Sequence, residues 1–134
     1  MRIGIDIMGG DYAPEKIVKG VLLAKEEFID KTELVLFGDK QKIENLLSIY
    51  NTNKYIFEIV HCKETILMGE NAIKGFRNKP NSSIAKGFDA LKKNHIDGFA
   101  SAGNTGAMFV GGYYSVKAID GVLRPTICSV LPKI

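Results

Sequence analysis

Tryptophan is absent, and cysteine occurs only twice, at Cys62 and Cys128. The two thiols form no CxxC pair and no zinc-binding spacing, so the sequence offers no metal site, and they read as reduced thiols of a cytoplasmic protein. No apolar run approaches the roughly 18 residues of a membrane span. This segment is therefore not expected to cross a bilayer, although a peripheral position at the inner face of a membrane stays open. The opening Met1-Arg2-Ile3-Gly4-Ile5-Asp6 enters a strand-like run at once and shows no secretion signal. A net charge of +3 is too small to mark a nucleic-acid binder. Neither GxGxxG nor GxxxxGK[ST] occurs, so the dinucleotide fingerprint and the P-loop are absent, which argues against a nucleotide-dependent oxidoreductase.

What is present is a chain of ordinary globular composition, with 46% apolar residues, enough for a hydrophobic core. Its glycines cluster at 9–10, 103–106 and 111–112, as tight turns or close backbone approaches require. Ile3, Ile5 and Ile7 predict a first strand that breaks at Gly9-Gly10. Pro14 and Glu15 suit a first helical turn, and Ile17, Val18, Val21, Leu22 and Ala24 recur at helical spacing, giving a helix over about 14–28. Leu34 to Phe37 is a continuous apolar strand of the kind covered on both faces. Asp39 can cap a helix over 40–49. A third strand is expected around Phe57–Val60 and a short helix over 70–77. Asn81-Ser82-Ser83 is a helix-capping cluster that opens a helix over 83–94. Gly98–Ser101 reads as a fourth strand, with a further helix starting within 101–107 and ending near 117, and Thr126–Leu131 as a fifth strand. This alternation predicts an α/β fold: a mostly parallel sheet with helices on both faces, in a Rossmann-like three-layer arrangement. The stop at Ile134, directly after a strand, suggests the amino-terminal part of a single α/β domain whose remainder is absent.

In such folds ligands gather beyond the carboxyl ends of strands, where both glycine turns fall. In the first, Gly9 and Gly10 let the backbone turn sharply before a helix, and Asp6 and Asp11 add acceptors. That combination can cradle an anion or be a plain turn capped by Asp11. In the second, Ser101, Gly103, Asn104, Thr105 and Gly106 converge just before a helix start and could ring a phosphate or a developing oxyanion. A glycine loop that merely brings the helix close to the sheet is the alternative. A third segment, Arg77 to Ser83, sets Ser82 and Ser83 at a helix start beside Arg77 and Lys79, as an anion grip or as a capped helix with surface charge. From residue 71 to 93 six cations, Lys86 among them, face one acid, so this stretch either attracts an acidic partner or is a solvated face. His61 and Cys62 are adjacent on an extended chain and point to opposite faces, so they do not pair as a nucleophile and base. Cys128 is expected in the core and His95 at the surface.

The run Ile5 to Glu15 resembles the start of the phosphate acyltransferase family of phospholipid synthesis, and Ser101 to Ala107 resembles its second hallmark. Arg77 to Ser83, Arg124-Pro125 and Val130-Leu131-Pro132 are similar in the same order, so the resemblance spans the chain. The chain departs from the family pattern at Asn81, where an acidic residue is expected, and at Lys133, where threonine is. The resemblance implies a fold like that of phosphotransacetylases and isocitrate-type dehydrogenases. It also implies an enzyme that converts acyl-[acyl carrier protein] and orthophosphate to acyl-phosphate without metal or organic cofactor. It further implies a homodimer that meets the membrane surface and hands its product to a membrane glycerol-phosphate acyltransferase. On this reading Thr105, Ser82, Ser83 and the amides of Gly103–Gly106 would hold phosphate alongside Gly9, Gly10, Asp11 and Ser101. Asn104 would stabilise the oxyanion, Asp6 or Asp11 would position a lysine or water, and Arg77, Lys79 and Lys86 would contact the carrier protein. A phosphotransacetylase acting on acyl-CoA and a non-catalytic truncated binding module are the rival readings.

Overall fold

The computed structural model describes residues 1–27, 32–123, 125–128 and 130. Four strands, β1 (Arg2–Asp6), β2 (Glu33–Gly38), β3 (Glu58–His61) and β4 (Gly98–Ala100), form one parallel sheet in the order β3-β2-β1-β4. Ile5 is in register with Leu36 on one side and with Ala100 on the other. Among the described residues five α-helices connect or follow them: α1 (Glu15–Glu27), α2 (Lys40–Ile49), α3 (Ala72–Asn78), α4 (Ser83–Lys92) and α5 (Thr105–Ser115).

β2 shows why the sheet is covered on both sides. Its side chains alternate between faces, so Leu34 and Leu36 join Val18, Val21, Ile43 and Leu47 under α1 and α2. Val35 and Phe37 instead enter the opposite layer with Cys62 and Ile96. A neighbouring cluster of Ile66, Ile84, Phe88 and Ala107 binds α3, α4 and α5 to one another. Each such aliphatic or aromatic side chain removed from water contributes about 1.5–3 kcal/mol. α4 approaches the sheet closely because Gly87 has no side chain: a Cβ there would lie 2.2 Å from the Phe99 ring. Phe99 in turn meets Phe37 and Phe88 edge-on, at centroid distances of 5.6 and 5.4 Å.

Helix starts follow local chemistry. Asp39 caps α2 by accepting from the Gln41 and Lys42 amides, Asn71 caps α3, and Ser82 caps α4. At the amino ends of the strands, the Arg2 guanidinium pairs with Glu33 and Glu58 and donates to the His95 carbonyl.

Two expectations are corrected. Thr126–Cys128 and Val130 are not in a strand, and all four are exposed; the other positions of the expected fifth strand lie outside the described residues. A strand exists only through its ladder partners, and apolar content alone does not supply one. Cys128 is accordingly exposed and not in the core. A 3-10 turn at Lys54–Ile56, capped by Asn53, precedes β3. Among the described residues no helix is long and apolar enough to cross a membrane.

Candidate functional site

The strand order places the site. From β1 the chain moves outward through β2 to β3, then returns to lay β4 on the other side of β1. The turns after β1 and β4 therefore leave neighbouring strands toward opposite layers, and the crevice between them is where parallel sheets take ligands.

Both glycine turns meet there. The Ser101 hydroxyl donates to Asp6 Oδ2 at 2.6 Å, and the Gly103 amide donates to Ser101 Oγ at 2.9 Å. Asp6 Oδ1 accepts from the Met8 amide at 2.9 Å, so one buried carboxylate shapes its own turn and ties it to the other. Gly9 lies inside this knot. A Cβ on it would meet Asp6 Oδ2 at 2.5 Å and both Gly103 N and Ser101 Oγ at 2.7 Å. Gly10 has φ +105°, a backbone state that favours glycine, and its open side faces the Ala102 carbonyl. Asp11 stands exposed, four residues before α1 begins.

α5 starts directly after the second turn. Thr105 and Gly106 are exposed, and their amides, in the first helical turn, have no intrahelical acceptor. Gly106 also lets α5 approach α3, since a Cβ there would lie 2.8 Å from Ala72 Cβ.

Asn104 has an occupation the sequence did not disclose. Its Oδ1 caps α5 by accepting from the Ala107 amide at 2.9 Å. Its Nδ2 donates to the carbonyls of Leu67, Met68 and Glu70 at 3.0, 3.2 and 3.0 Å. The amide expected to face an oxyanion is, in this geometry, spent holding the 67–70 loop over the start of α5. Ser82 is likewise committed: fully buried, it donates to the Lys79 carbonyl and accepts from the Ala85 amide. Ser83 is buried beside it.

The expected basic contacts separate. Arg77 is exposed on α3. Lys79 turns inward, donating to the Thr65 carbonyl at 2.8 Å and pairing with Glu70 at 2.5 Å. That hydrogen bond from Lys79 holds the Glu70 carboxyl below its ordinary range. Lys86 donates to the His61 carbonyl at 2.7 Å. His61 itself is exposed and accepts from the Lys40 amide, whereas Cys62 is buried, so the two do point apart. Burial pushes the Cys62 thiol up to about 12, opposed by nearby Lys86 and reinforced by Asp6. A thiol so placed is a packing group and not a nucleophile. His95 is exposed, as expected. Among the described residues no cluster of three or more His, Cys, Asp or Glu side chains could hold a metal ion.

A family model described as fatty acid synthesis protein matches residues 1–134. A phosphate acyltransferase of Thermoanaerobacterium thermosaccharolyticum is 42% identical over 132 residues, covering 98% of this chain and 38% of the relative. One from Caldicellulosiruptor bescii is 44% identical over 134 residues, covering 98% and 39%. One from Staphylococcus aureus is 40% identical over 134 residues, covering 100% and 38%. The chain thus spans about two-fifths of the length of the curated relatives it matches.

Proposed function

The chain belongs to the fatty acid synthesis protein family, and on that premise we propose that it carries the phosphate-binding half of an acyl-[acyl carrier protein]:phosphate acyltransferase. The observation behind this reading is the Asp6–Ser101 tether, which sets two glycine turns side by side at the point where the strand order reverses.

Orthophosphate is partly dianionic near neutral pH and needs no strong base to attack a thioester. Catalysis then consists chiefly of holding it in line with the carbonyl. The exposed first-turn amides of α5 and the Thr105 hydroxyl supply donors for its oxygens, at the favourable end of a helix dipole. Gly9 and Gly10 keep the facing turn free of side chains. A phosphate oxygen bonds to the acyl carbon, the carbonyl electrons pass onto oxygen, and their return breaks the C–S bond. The carrier protein's sulfur leaves as thiolate and takes a proton. Asp6, Ser101 and Asn104 act as positioning residues that hold the donors in place.

The carrier protein's acidic surface would meet the exposed cations of α3 and α4, among them Lys74, Arg77 and Lys92. The same reading carries with it a homodimer, a location at the cytoplasmic membrane surface and delivery of acyl-phosphate to a membrane glycerol-phosphate acyltransferase in phospholipid synthesis.

The test places Ser101→Ala and Thr105→Val in a chain of the relatives' full length and follows acyl-phosphate formation from acyl carrier protein and acyl-CoA donors. Loss of a donor or of its positioning should lower turnover about 10²-fold. Activity within a factor of two of the parent for both variants would refute the site. A preference for short acyl-CoA would move the reading to a phosphotransacetylase.

A further inference from the structure

The loop between β3 and α3 is built with unusual care for a surface segment. Glu64 accepts from the Asn81 amide at 2.9 Å, and Ile66 is buried against Gly75. Lys79 reaches across to the Thr65 carbonyl and to Glu70. Glu70 closes the loop on itself: its carboxylate accepts from the Leu67 amide, and its own amide donates to the Leu67 carbonyl. Asn104 then binds three of the loop's carbonyls. What this framework displays is apolar: Leu67 is 61% exposed and Met68 52% exposed. Two adjacent apolar side chains on a loop pinned at both ends have little freedom to fold back, and they present an apolar surface beside the start of α5.

We propose that Leu67 and Met68 form the wall along which the donor's fatty acyl chain lies, and that they set its preferred length. The inference rests on the acyl-transfer reading above and deepens it. In acyl-phosphate the carbonyl carbon is bonded to a phosphate oxygen, so the hydrocarbon chain must begin beside the phosphate and run outward from it. Asn104, next in sequence to Thr105, fastens the Leu67–Met68 loop to the start of α5, where phosphate is proposed to sit. Leucine offers a fixed apolar surface, and methionine, unbranched and polarizable, adapts to a flexible hydrocarbon. No other apolar pair among the described residues is tied to that helix start by side-chain hydrogen bonds.

The experiment uses Leu67→Ser, Met68→Ser and the double variant in a chain of the relatives' full length. The melting temperature is measured alongside, and a variant within a degree or two of the parent separates this effect from misfolding. With a C16 donor kcat/KM should fall about 10- to 100-fold in the double variant, as expected for losing one or two apolar contacts of this size. With a C4 donor, whose chain covers less of the wall, the fall should be at least fivefold smaller. An unchanged C16-to-C4 ratio in an active enzyme overturns the wall and leaves the acyl-transfer reading intact. A parent that makes no acyl-phosphate from any donor overturns the acyl-transfer reading instead. Binding of a hexadecanoyl phosphonate then decides: at least tenfold weaker binding by the double variant supports the wall, and equal affinity overturns it.

Discussion

The Ser101 hydroxyl and the Asp6 carboxylate, 95 residues apart in sequence, lie 2.6 Å from each other and bind the turn after β4 to the turn after β1. This contact extends the join between β1 and β4 beyond their ladder, which pairs Ile3 with Gly98, Gly4 with Phe99 and Ile5 with Ala100.

Gly9→Ala tests that contact without removing either partner. The new methyl group would press on Asp6 Oδ2, Ser101 Oγ and Gly103 N at once. Two of these contacts involve short side chains hydrogen-bonded to each other and one is backbone, so none swings aside freely. The expected cost is about 1–3 kcal/mol of stability, read as a lower urea midpoint with an unchanged slope. Gly20→Ala is the control, since nothing lies within 4 Å of a Cβ there and the site is in α1. It should be neutral or slightly stabilising.

Asn104→Ala removes a helix cap and a threefold carbonyl tie together. A lost cap costs about 1 kcal/mol, and the lost hydrogen bonds to the part-buried carbonyls add about 1 kcal/mol more. Asn104→Asp separates the two roles. Its carboxylate still caps α5, but it now faces the Leu67, Met68 and Glu70 carbonyls without a proton to give. It should therefore destabilise the chain although it is a good capping residue. Proteolysis within 64–70 should rise in both variants. Protection equal to the parent's in Asn104→Asp would show that the tie contributes nothing.

The layered architecture was legible because its signals are local. Leu34–Phe37 announces a strand covered on both faces, Asp39 announces α2, and Ser82 announces α4, all from chemistry within a few residues. The rim carrying both glycine turns was legible too, because parallel sheets leave their βα loops on one side. What each polar group is spent on was not legible. Asn104 is bound to carbonyls 34 to 37 residues back, Asp6 to a serine 95 residues on, and Lys79 to Thr65 and Glu70. Nothing in the neighbouring sequence encodes those pairings; only the strand order creates them. The expected fifth strand fails for the same reason in reverse, since Thr126–Leu131 has the composition of a strand but its described residues have no ladder.

The Glu70–Lys79 pair gives the loop a pH dependence of known sign. Lys79 holds the Glu70 carboxyl below its ordinary value of 4.5 in the folded chain. The contribution is therefore complete above the unfolded value and disappears as pH falls through the lower, folded one. Parent and Lys79→Met should differ in urea midpoint at pH 6–7, and the difference should shrink below about pH 4.5 as Glu70 takes up its proton. A gap that stays constant from pH 7 to pH 3 would assign the role of Lys79 to its Thr65 contact alone.

The two thiols should react at different rates. Cys128 is exposed, whereas Cys62 is buried at 3% exposure, with burial pushing its thiol from 9.0 up to about 12. Thiolates attack a disulfide reagent and expel its other sulfur as thiolate, so at pH 8 one thiol per chain should be labelled quickly and the second only after denaturant is added. Cys128→Ser should abolish the fast phase and keep the slow one. The raised value also fixes an alkaline limit. The fold favours the protonated thiol, so this contribution is full below pH 9 and is lost as pH climbs from 9 toward 12. Cys62→Ala leaves a small cavity and should be less stable at pH 7, yet its stability should fall less steeply than the parent's above pH 9. Converging curves there would identify Cys62 as the titrating group, and parallel curves would place the alkaline loss elsewhere.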